Sequence, residues 1–276
     1  MIKKLTCLAW VAAALILAQP AKAGGSGDPC PMRDEMPGLA DDLSHVGARL
    51  QAAKHLDVLA VGSATMFGPE ASLAPGTLTA QSLAGAFSGT PPASSLISTP
   101  PSERAFPLQM AKQLRTLVPG LDVQVTVRGG RGLLASEMLE LLHKELAAKH
   151  YDMVIWQTGT VEAVRNLPPG EFGQILSDGA QAVQAAGADL VLVDPQYSRF
   201  LQTNSNLDPY FQALQQVAAM PGVVLFHRFD LMRGWANDGA IDLERTPRSD
   251  REKAIGTLHA CLGRHLARLV AASLRG

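Results

Sequence analysis

Residues 56–61 form a near-continuous apolar run in which Leu56, Val58, Leu59, Ala60 and Val61 are interrupted only by Asp57. Runs of this kind belong to strands covered on both faces. Four further runs, at 121–127, 153–157, 190–193 and 223–226, read the same way. Between them lie stretches with helical spacing at 108–118, 136–150, 172–186, 209–220 and 250–274. Upstream, Leu39, Leu43, Val46 and Leu50 recur at 4-3-4 spacing and predict a first helix. Pro119-Gly120 and Gly187 mark element ends, and Gly129-Gly130-Arg131-Gly132 is expected to break the second strand. Five strands alternating with helices predict a three-layer α/β/α sandwich with a parallel, flavodoxin-like sheet.

The first strand ends in Gly62-Ser63-Ala64-Thr65, with Gly68 following. In open α/β folds such turns gather at the carboxyl edge of the sheet, where ligands bind. Residues 69–105 are rich in Ser, Pro, Gly, Thr and Ala and predict an irregular insertion, disordered or lid-like.

Lys3 and Lys4 precede an apolar run from Leu5 to Leu17, and Ala21-Lys22-Ala23 offers small residues for cleavage. Residues 1–23 therefore read as a signal peptide and 24–276 as one domain, exported to the periplasm or secreted. The apolar run is shorter than the roughly 20 residues that a membrane span needs. Cys30 and Cys261 then remain for an oxidising compartment, either as a disulfide or as two unrelated thiols.

The formal net charge is −1, with 18 % charged residues, which gives no basis for a nucleic-acid or anionic-membrane partner. The seven histidines show no metal-ligand spacing, so no metal is expected. Gly129 to Gly132 lacks a G-x-G-x-x-G run, and no other cofactor signature is present. Trp156 and Trp235 are expected in core or rim packing.

Taken in order, several blocks resemble the SGNH (GDSL-type) hydrolases of a secreted bacterial branch. They are Gly62-Ser63-Ala64-Thr65-Met66-Phe67-Gly68, Val154-Ile155-Trp156-Gln157-Thr158-Gly159-Thr160, Asp194-Pro195-Gln196-Tyr197, Phe229-Asp230-Leu231-Met232-Arg233, and the stretch from Asp250 through Cys261. The resemblance implies an SGNH fold and an esterase ancestry. It also implies a serine nucleophile, a histidine base oriented by an aspartate three residues earlier, and an oxyanion hole of two N–H groups and an asparagine.

Carried over, the nucleophile position is Ala64, the asparagine position is Val161 and the histidine position is Lys253. The oxyanion glycine is kept as Gly132 and the orienting aspartate as Asp250, while Glu162 falls where a supporting acid or a helix N-terminal charge would stand. Three readings follow. The chain is an inactive SGNH-like protein that binds an acylated polysaccharide or another envelope component through the inherited cleft. Alternatively it is an active esterase with a rearranged site, Ser63 serving as nucleophile and Lys253 as base. The third possibility is a structural or partner-binding envelope protein.

Overall fold

The computed structural model of the chain describes residues 28, 30–31, 43–52, 54–73 and 94–275. The proposed signal segment and most of the insertion, residues 74–93, lie outside the described residues.

The strands are β1 (His55–Ser63), β2 (Ser95–Leu96), β3 (Asp122–Arg131), β4 (Met153–Gln157), β5 (Asp189–Val193) and β6 (Val223–Phe226). They lie in the order β2-β3-β1-β4-β5-β6. All pairings are parallel except that of β2 with β3. The expected five-stranded parallel sheet is therefore present, in flavodoxin-like order, with one short antiparallel strand added at its edge. Two residues, Ser95 and Leu96, carry no periodicity from which that strand could be read.

The helices are α1 (Ser44–Ala52), α2 (Pro69–Leu73), α3 (Phe106–Leu117), α4 (Ala135–Ala148), α5 (Thr160–Arg165), α6 (Pro169–Ala185), α7 (Arg199–Asn204), α8 (Asp208–Ala218), α9 (Arg228–Asn237) and α10 (Arg251–Ala272). The insertion is thus not irregular throughout, since α2 and β2 lie within it.

The apolar run of β1 is divided between two cores. Leu56, Val58 and Ala60 join the layer that contains Val46, Phe106, Met110 and Leu262. Leu59 and Val61 join the opposite layer with Leu142, Leu176 and Leu214. This alternation explains why β1 has no polar face, and burial of each such side chain contributes about 1.5–3 kcal/mol.

The glycines at the end of β3 do not break it. The strand runs on through Arg131 because β1 and β3 approach closely there, with Gly62 paired to Gly129 and Ser63 to Gly130. A Cβ on Gly129, whose φ is 149°, would lie 1.8 Å from the Gly62 carbonyl oxygen. The strand ends instead at Gly132, where φ is 65°.

Two buried carboxylates fix α1 at the amino edge of the sheet. Asp189 accepts the Val46 N–H at 2.8 Å, and Asp152 pairs with Arg49 at 2.8 Å while accepting the Asp57 N–H at 2.8 Å. Asp28 pairs with Arg264 at 2.6 Å, and Cys30 is joined to Cys261 by a disulfide with Cα atoms 5.3 Å apart. No helix among the described residues is long and apolar enough to cross a membrane.

His259 on α10 accepts the Phe106 N–H at its Nδ1, 3.1 Å away, and so caps α3. Burial pushes its pKa down to about 3. The folded chain therefore keeps this ring neutral, while an unfolded chain protonates it near pH 6.5. Its contribution is complete above about pH 6.5 and is lost as pH falls toward 3. A His259→Gln variant retains an acceptor without the titration. Urea unfolding from pH 7 to 4 should show a flatter pH dependence for that variant, by up to about 1.4 kcal/mol per pH unit. Identical slopes would refute this assignment.

Candidate functional site

The strand order reverses between β1 and β4, and this switch point brings the turn after β1 beside the turn after β4. Gln157, the last residue of β4, is buried and reaches across to β1. Its Nε2 donates to Ser63 Oγ at 2.7 Å, and its Oε1 accepts from Thr65 Oγ1 at 2.7 Å. Ser63 and Thr65 hydroxyls are 3.0 Å apart, which closes a three-membered ring of hydrogen bonds. In it each hydroxyl donates once and accepts once. Reversing the amide reverses the ring, and in either sense the Ser63 proton rests on a neutral oxygen.

Ala64 begins a 3-10 turn, Ala64–Phe67, and is 1 % exposed. The turn is anchored by Met66 and Phe67, both in the core, and ends at Gly68 with φ of 116°. Val161, in the first turn of α5, is buried and has no polar side-chain atom. The Gly132 carbonyl accepts from Arg165 Nη2 at 3.4 Å.

Glu162 is 3 % exposed and caps two helices at once. Its Oε1 accepts the Ala135 N–H at 2.6 Å, at the start of α4, and its Oε2 accepts the Gly159 N–H at 3.0 Å, ahead of α5. Burial raises its pKa. Of its two expected roles, the structure displays the helix-terminal one.

The structure does not bring Lys253 to Ser63. Asp250 and Lys253 are exposed at the start of α10, and among the described residues neither pairs with the other. Two exposed charges gain little by pairing in water. Lys253 opens instead onto a surface groove of about 620 Å³ shared with Ser249, Thr257 and the disulfide, and neither Ser63 nor Ala64 lines it.

Sequence reasoning missed two residues. Gln157 lies in a block singled out for its resemblance, and its pairing with Ser63 was not visible without the register of β1 on β4. Arg104 joins α2 to α10 through Glu70 at 3.2 Å and Glu252 at 2.9 Å. Gly256 leaves room for it, since a Cβ there would lie 2.4 Å from Arg104 Nη2.

Residues 29–276 match the family described as non-GDSL lipase-like. The chain belongs to the non-GDSL lipase-like family. Among solved structures, this member is similar in fold to a two-domain esterase active on acetylated mannans, with 14 % identity and a TM-score of 0.55 over 85 % of this chain and 54 % of that one. A catalytic mutant of Axe2, an acetylxylan esterase from Geobacillus stearothermophilus, matches with 14 % identity and a TM-score of 0.54 over 78 % of this chain and 94 % of that one. A lipase/acylhydrolase from Enterococcus faecalis matches with 14 % identity and a TM-score of 0.51 over 77 % and 96 %. These likenesses establish that this family member has the SGNH hydrolase fold. No curated protein matches it in sequence.

Proposed function

We propose that this protein binds an acylated glycan, or another acylated component of the cell envelope, at the carboxyl edge around Ala64 without cleaving it. The observation that carries this reading is the site itself: Ala64 offers no nucleophilic atom, and the neighbouring Ser63 hydroxyl is engaged in the ring with Thr65 and Gln157. An activated serine needs a base within hydrogen-bond reach, and the Ser63 partners are neutral. The same arrangement weighs against the rearranged esterase. Acetylated xylan and mannan are what two of the fold neighbours act on. The apolar stretch at 5–17 and the disulfide support a location in the periplasm or outside the cell.

Calorimetric titration with acetylated xylo-oligosaccharides and their deacetylated forms tests the reading. The acetylated ligand should bind more tightly and be recovered with its acetyl groups intact. Equal affinity for the two forms, or release of acetate, would overturn it.

A further inference from the structure

A cleft of about 510 Å³ opens at the far end of the same sheet edge, beyond β5 and β6 and among α7, α8 and α9. Its floor is made by Asp194, which follows β5, and His227, which follows β6. Asp194 is 2 % exposed; its Oδ1 accepts the Phe229 N–H at 2.8 Å, and its Oδ2 stands 3.9 Å from His227 Nδ1, beyond hydrogen-bond reach. Burial pushes the Asp194 carboxyl up to about 8, against the opposing pull of the buried Arg228 guanidinium, and lowers the His227 pKa.

The walls carry unused hydrogen-bonding capacity. The side-chain amides of Gln202, Asn206, Gln212 and Gln215 line the cleft and make no hydrogen bond among the described residues. Ser205 Oγ, in the same wall, is buried with no hydrogen-bond partner. Phe211 supplies an apolar side, held edge-on to Phe229 with ring centroids 5.0 Å apart. The cation in the lining, Arg233, is paired with Asp230 at 2.7 Å.

We infer that this cleft is a second ligand site, for an uncharged polyhydroxylated ligand of the unsubstituted oligosaccharide class. Each sugar hydroxyl donates and accepts, which matches carboxamides that do both, while the C–H face of a ring can rest on Phe211. An anionic ligand would find no unpaired cation in the lining. A cleft of this volume with a few convergent polar groups falls in the range of small-ligand sites. The inference stands apart from the proposal at Ala64, because it concerns the sugar ring and not the acyl group.

The full mature chain is titrated calorimetrically with unsubstituted xylo-, manno- and cello-oligosaccharides and with an oligogalacturonate. At least one neutral oligosaccharide should bind and the oligogalacturonate should not. The Gln212→Ala/Gln215→Ala double variant changes only exposed positions, and should keep its melting temperature while weakening that binding about tenfold or more. Phe211→Ala should weaken it similarly. The acetylated oligosaccharide should still bind these variants, because its site at Ala64 is separate. Binding by no neutral oligosaccharide, undiminished binding in the double variant, or equal binding of the oligogalacturonate overturns the inference. Loss of the acetyl preference alone overturns only the reading at Ala64.

Discussion

Aryl acetates incubated with the wild-type protein should hydrolyse no faster than in buffer. Loss of the nucleophile of a serine–histidine–aspartate unit costs on the order of 10⁶ in kcat, and loss of the base costs about as much because the two act together. Loss of an oxyanion donor costs about a further 10² to 10³. In the alignment of blocks proposed above, Ala64, Val161 and Lys253 stand at those three positions, which would leave Gly132 and Asp250 nothing to stabilise or orient. The single reversions Ala64→Ser, Val161→Asn and Lys253→His should each stay at background, since a serine without its base remains protonated. The combined variant should regain measurable turnover. If the wild type already turns over and Ser63→Ala abolishes the activity, the alignment of the first block is wrong and the ring around Ser63 opens during catalysis.

Reduction of Cys30–Cys261 should be the largest single blow to stability. The linked residues are 231 apart in sequence. A loop of that length, closed by a cross-link, restricts the unfolded chain by about 5 kcal/mol in the chain-entropy account. At about 2–4 °C per kcal/mol for a domain of this size, the melting temperature should fall by roughly 10–20 °C. Scanning calorimetry with and without reductant measures this, and the Cys30→Ala/Cys261→Ala variant checks it without reductant. Coincident transitions in all three samples would refute the expectation.

The sheet was legible because its strands are covered on both sides, so that β1, β4, β5 and β6 appear as near-continuous apolar runs. The helices α3, α4, α6, α8 and α10 show a period because each covers one face of that sheet or its neighbour. The short helices α2, α5 and α7 span fewer than two turns and leave no period to count. At the proposed site, the exchanged residue types rest on the resemblance of the aligned blocks. The ring could not, because Ser63 and Gln157 are 94 residues apart and meet only through the pairing of β1 with β4. The approach of His227 to Asp194 was hidden for the same reason, since it depends on the pairing of β5 with β6.

The disulfide also makes the chain between Cys30 and Cys261 a covalent circle. One backbone cut inside it yields two polypeptides that remain a single molecule, and a second cut is needed to free a piece. A cut between residues 74 and 93 would leave a short segment carrying α1, β1 and α2, and a long one carrying the other five strands. The short segment would be held by its cysteine and also by hydrogen bonding on both sides, because β1 lies between β3 and β4. The protein is thus laid out as two complementary fragments, of which the smaller supplies the central strand and the serine turn.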